Sequence, residues 1–136
     1  MNYQNSEVIR KLLQESHTIA VYGASDKAWR TSNSIAKFLL NVGYEVIPVN
    51  PNYETVLGMK SYSSLLDIET EVDIVDVFRK PSEVFCVAEE AVSIGAKGIW
   101  FQEGVINNQA AEHAHNSGLD VVMDRCIMKE YNRLIA

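Results

Sequence analysis

The chain has 136 residues, with 12 Lys plus Arg against 18 Asp plus Glu and a formal net charge of -6. That size suits one domain over 1–136, and the acidic balance argues against a general nucleic-acid partner. No apolar run approaches the roughly 20 residues of a membrane span, and two widely spaced cysteines, Cys86 and Cys126, support neither a disulfide framework nor a zinc knuckle. A reducing cytosol is the compartment this composition suggests.

The opening "MNYQNSEVIRKLLQES" is too polar for a signal peptide. It predicts a helix capped by Asn5 or Ser6, with Val8, Ile9, Leu12 and Leu13 on one side. "TIAVYG" is a short apolar strand that ends at Gly23. Ser34 to Val42 predicts a second helix, with Ile35, Ala36, Leu39 and Leu40 on one face and Gly43 at its end. Ser32 and Asn33 are its candidate caps. "YEVIPVN" is the second strand; Pro48 is awkward for a central strand, so the paired part either stops early or lies near a sheet edge. "SYSSLLDI" reads as a short strand or turn feeding a small helix. "VDIVDVF" is a buried strand, and Pro81 suits the first turn of the helix after it. That helix is expected to turn Val84, Phe85, Ala88, Ala91 and Val92 inward, with Cys86 in the core. "KGIWFQ" is the next strand. Asn107 opens a helix that Gly118 closes. "DVVMD" is the last strand, followed by a helix over Met128 to Leu134.

Strands and helices alternate, the strands are apolar and the helices are one-faced. The expected fold is α/β: a Rossmann-like domain with a mostly parallel five-stranded sheet, room for one short extra strand, and helices on both faces. Ligands of such sheets bind at the carboxyl ends of the strands. Those ends are "GASDKAWR", "NPNYE", "FRKP", "QEGV" and "DRC", the most polar segments of the chain.

A glycine after a strand lets backbone N–H groups approach an anion, and the following helix start adds a favourable dipole. Gly23, Ala24 and Ser25 fit that role, and Lys27 and Arg30 add positive charge. The full G-x-G-x-x-G pattern is absent, as is a Gly-Lys-Ser/Thr pair. The second strand ends in Asn50 and Pro51, where a dinucleotide site usually has an acid for the ribose. These pieces suit an adenine nucleotide with phosphate better than NAD.

Together, "VYGAS", "GYEVIPVNPNYE", "VLGMKSY", "VDIVDVFRKP", "GAKGIWFQEGVIN" and "GLDVVMDRCIMKE" resemble the small stand-alone CoA-binding-domain proteins. These are similar to the CoA-binding domain of the succinyl-CoA synthetase alpha subunit. The resemblance spans about residues 15–130. It implies coenzyme A, or an acyl-CoA, as ligand. It implies that Gly23, Ala24 and Ser25 approach the CoA phosphates with Lys27 or Arg30 nearby. Asn50 and Pro51 would border the adenosine, and Phe78, Arg79 and Lys80 would form the next wall. Gln102, Glu103 and Gly104 would lie along the pantetheine path. The synthetase's catalytic histidine has no counterpart, so the resemblance implies a binding module acting alone or through another protein.

Candidate chemistry is sparse. Cys126 follows Arg125 at a strand end and opens a helix, a setting that can lower a thiol pKa. It either meets the CoA thiol or packs as a small hydrophobe. His113 and His115 are two apart on a helix and point in different directions. Asp76 either faces the ligand rim or satisfies nearby backbone amides. Three functions stay open: a CoA-binding module without catalysis, an NAD(P)-binding oxidoreductase-like protein, and a structural protein with a vestigial pocket. A monomer and a small homo-oligomer are both feasible.

Overall fold

The computed structural model describes residues 3–136. Helix α1 (Ser6–Glu15) leads into β1 (Thr18–Tyr22), α2 (Thr31–Asn41) and β2 (Glu45–Val49). A small hairpin follows, β3 (Thr55–Val56) and β4 (Met59–Lys60). Then come β5 (Ile74–Val77), α3 (Phe85–Ser93), β6 (Gly98–Phe101), α4 (Asn108–Asn116), β7 (Asp120–Met123) and α5 (Ile127–Leu134). The main sheet has five parallel strands in the order β2-β1-β5-β6-β7. This is the expected Rossmann-like fold. No helix among the described residues is long and apolar enough to cross a membrane.

The core divides by the period of two along each strand. Ala20, Val75, Val77, Ile99 and Phe101 face one way and pack with Ala88, Ala91, Ala110 and Ala114 of α3 and α4. Ile19, Val21, Ile74 and Trp100 face the other way and pack with α1, α2 and α5 through Leu12, Ile35, Leu39 and Ile127. Pro48 pairs opposite Val21 on β2, and β2 is the edge strand of the sheet, as its proline requires. The start of β5 is pinned to β1 by Asp73, whose Oδ2 accepts from His17 N at 2.7 Å and Thr18 N at 3.0 Å. Burial works to raise the Asp73 pKa, but those two bonds and Lys97 outweigh it and hold the carboxyl below its usual range.

The local structure departs from expectation in α2 and around Pro81. Helix α2 begins at Thr31, not Ser34, because the Arg30 carbonyl accepts from Asn33 N and Ser34 N and closes the first turn early. Ser32 and Asn33 therefore lie inside the helix and are buried, and Arg30 is the cap residue, with no side-chain cap bond. Pro81 starts a separate 3-10 turn (Pro81–Glu83) before α3. Its tighter winding shifts the helix phase. Val84, Val87, Ala88 and Ala91 turn inward, while Phe85 is 39% exposed. Cys86 is exposed as well, which overturns its expected place in the core. Leu40, expected on the inner face of α2, is also 39% exposed.

The sequence allows one short extra strand, within "SYSSLLDI"; the structure has two, in a hairpin just ahead of that segment. Its turn residues Leu57 and Gly58 both have positive φ, 52° and 76°, as a two-residue type I′ turn demands. Asp26 Oδ1 accepts from Leu57 N at 2.9 Å and ties this turn to the loop after β1.

Candidate functional site

The chain leaves β1 for β2 on one side, then returns past β1 to β5 on the other. The strand order therefore reverses beside β1, and open α/β sheets place ligands in that crevice. Gly23 stands at its floor. Its N–H donates to Val49 O at 2.9 Å, and Phe78 N donates to Tyr22 O at 2.8 Å, so three strand ends are stitched at one point. Gly23 has φ +87°, and a Cβ there would lie 2.3 Å from the Phe78 carbonyl oxygen. Glycine is required on both counts.

The loop beyond Gly23 is held by side chains that face inward. Ala24 is buried, and its carbonyl accepts from Asn50 Nδ2 at 2.8 Å. Ser25 O accepts from Asn33 Nδ2 at 2.9 Å, and Ser25 Oγ accepts from Lys27 N at 3.1 Å and lies 3.3 Å from the Tyr53 hydroxyl. With the carbonyls drawn into the protein, the Ala24 and Ser25 N–H groups have no hydrogen-bond partner among the described residues. The first N–H groups of α2 emerge beside them, as unpaired donors of a helix start.

Two adjoining hollows open over this loop. The larger, about 770 Å³, is lined by Gly23, Ser25, Lys27, Trp29, Arg30, Thr31, Ser32, Asn50, Asn52, Tyr53, Phe78 and Arg79. Three of those side chains are cations and none is a carboxylate. Trp29 is 77% exposed at the rim, with Lys27 Nζ 5.6 Å from its ring centre. The smaller hollow, about 310 Å³, is lined by Tyr22, Gly23, Val49, Asn50, Pro51, Asn52, Arg79, Glu83 and Cys86. Burial raises the Tyr22 pKa, and Glu90 and Cys86 add to that. The cationic lining of the first hollow suits an anion, and the more apolar lining of the second suits a flat, largely apolar group.

The candidate residues separate into groups. Gly23, Ser25, Lys27, Arg30, Asn50, Phe78 and Arg79 line the larger hollow, and Pro51 lines the smaller. Ala24 shapes the loop from beneath. Lys80 is exposed but lines neither hollow. Gln102 is buried, and its Oε1 caps α5 through Ile127 N at 3.1 Å. Glu103 is held by Lys129, and Gly104 N donates to Asp124 Oδ1 at 2.8 Å. Gln102, Glu103 and Gly104 sit at the end of β6, outside both hollows. Cys126 is buried, 5% exposed, in the α1/α2/α5 core. Its neighbour Arg125 already meets Glu130 at 3.3 Å and Gln4 at 2.9 Å.

Sequence reasoning missed Asn52, Tyr53, Glu83 and Cys86 as wall residues. Asn52 and Tyr53 directly follow Asn50 and Pro51 in a strand-end loop, a signal that was available. Glu83 and Cys86 depended on the 3-10 turn after Pro81, which sequence periodicity does not show. Among the described residues, no group of three or more His, Cys, Asp or Glu side chains is arranged to hold a metal.

The chain is similar to known proteins of one family. A family model described as a CoA-binding domain matches residues 17–132. The uncharacterized Bacillus subtilis protein YneT is 43% identical over 119 residues, which cover 88% of each chain. An ADP-forming acetate–CoA ligase from Methanocaldococcus jannaschii is 31% identical over 88 residues. That match takes 65% of this chain but 12% of the ligase, so the likeness concerns one segment of the larger enzyme. Among solved structures, a hypothetical protein from Pyrococcus horikoshii OT3 superimposes with a TM-score of 0.94 at 44% identity, covering 97% of this chain and 93% of that one. The chain belongs to the CoA-binding domain family, with relatives among the ADP-forming acyl-CoA ligases.

Proposed function

We propose that the protein binds coenzyme A or an acyl-CoA across the two hollows and works as a binding module, not as a complete ligase. The observation that carries this reading is the convergence of Lys27, Arg30 and Arg79 with unpaired backbone N–H groups over a helix start. CoA carries a diphosphate and a 3′-phosphate, and a site with three cations and fixed amides matches that charge. The adenosine would lie beside Asn50 and Pro51 in the smaller hollow. The pantetheine would run out past Phe78 toward Gln102 and Gly104. The side chain of Asn50 is occupied by Ala24 O and Asn52 N, which leaves no acid at the β2 end for an NAD ribose.

Calorimetry with CoA, dephospho-CoA, acetyl-CoA and NADP tests the reading. CoA should bind, with affinity falling when the 3′-phosphate is absent. Binding of NADP without CoA would overturn it. The protein also carries its own footprint. Cys86 is an exposed thiol on the wall of the smaller hollow, and Cys126 is buried. Bound CoA should slow alkylation of Cys86 severalfold, read by mass spectrometry. Equal labelling with and without saturating CoA would remove the smaller hollow from the site.

A further inference from the structure

Arg79 holds a singular position. It lines both hollows, whereas Lys27 and Arg30 line only the larger. Its stem lies against Gly23, where a Cβ would come within 3.2 Å of Arg79 Cδ. One guanidinium nitrogen is already engaged. Nη2 is hydrogen-bonded to Glu83 Oε2 one turn along the chain. Glu83 itself lines only the smaller hollow. The ion pair therefore sits at the boundary between the two hollows.

We propose that Glu83 is a latch: it holds Arg79 across that boundary, and a phosphate ligand spanning both hollows must draw Arg79 away from Glu83. This rests on the CoA reading above and adds a control to the same site. Both partners are well exposed, with 41% and 43% of their side chains open to solvent. An exposed pair of this kind is weak, so its loss shifts an equilibrium by about two- to fivefold. A latch of that strength yields to a ligand carrying several phosphate charges and still raises the threshold for a weaker anion.

The latch makes Glu83 an antagonist of binding that acts only through Arg79. Calorimetric titration of CoA into wild type, Glu83→Gln, Arg79→Ala and the double variant tests this. Glu83→Gln should tighten CoA binding about two- to fivefold. Arg79→Ala should weaken it about tenfold or more, because a charge-assisted phosphate contact is lost. Added to Arg79→Ala, Glu83→Gln should change nothing. Unchanged or weaker binding in the single Glu83→Gln variant overturns the latch. An equal gain with and without Arg79 also overturns it, since Glu83 would then be a simple repulsive charge. If CoA binds wild type and Arg79→Ala weakens it, the site stands whatever Glu83 does. If CoA does not bind wild type, the site and the latch fail together.

Discussion

Gly23→Ala is expected to destabilise the protein by about 3 kcal/mol and to remove ligand binding. Two costs add at this position. A non-glycine residue at φ +87° pays roughly 1–2 kcal/mol for its backbone conformation. The new methyl group would also stand 2.3 Å from Phe78 O. That oxygen belongs to backbone fixed by the Phe78 N to Tyr22 O bond, so no rotamer change relieves the overlap. Overpacking of this kind costs roughly 1–3 kcal/mol. The ends of β1 and β5 must separate, and the Gly23 N to Val49 O bond goes with them. For a chain of this size the melting temperature should fall by about 10 °C. Gly118→Ala is the matched control, because Gly118 has φ +98° with nothing within 4 Å of a Cβ. It should pay the conformational cost alone. Equal losses in the two variants, measured by thermal and urea unfolding, would show that the approach to Phe78 is unimportant.

Gly23 was also the most legible residue in the sequence. A lone glycine after an apolar strand and before a helix has few other uses. Pro48 is legible in part: its missing N–H leaves an early strand end or an edge position, and the structure takes the second, with Pro48 paired on edge strand β2. Strand ends could be named because apolar runs stop at polar loops. Side-chain duties inside those loops could not. Asn33 looked like a helix cap, but tertiary structure turns it inward to hold Ser25 O. Asn50 lines both hollows, and its amide also holds Ala24 O, a duty the sequence does not show. Cys86 was misplaced for a different reason. Helical periodicity taken from Pro81 assumes one continuous helix, and the three residues of 3-10 turn rotate the face. Gln102 and Gly104 lie on the sheet rim as expected, but β6 is two strands from β1. Linear sequence gives no measure of that separation.

Asp76→Asn is expected to stabilise the protein at neutral pH, with a gain that disappears in acid. Asp76 is 0% exposed in the middle of the sheet. Its register neighbours are Val21 on β1 and Trp100 on β6. Neither carboxyl oxygen has a hydrogen-bond partner. Asp76 thus does not satisfy neighbouring amides, one of its two expected roles, and it lines neither hollow. Burial without compensation pushes its pKa well above the usual carboxylate range. The unfolded chain releases this proton near the ordinary aspartate pKa of about 4, while the folded chain retains it. Folding at higher pH therefore takes up a proton that solvent no longer supplies freely. The stability linked to Asp76 is complete below the unfolded pKa and is lost as pH rises toward the folded one. Asparagine has no proton to lose, so the variant escapes that penalty. The difference in unfolding free energy should be small at pH 3.5 and should exceed about 1 kcal/mol at pH 7, since each unit of pKa separation corresponds to about 1.4 kcal/mol. Asp73→Asn supplies the opposite slope in the same urea titrations. The lowered Asp73 carboxyl contributes above the ordinary range and is lost as pH falls through its folded pKa. A pH-independent difference for Asp76→Asn would mean that a partner absent from the chain's own side chains, such as a buried water, already compensates the charge.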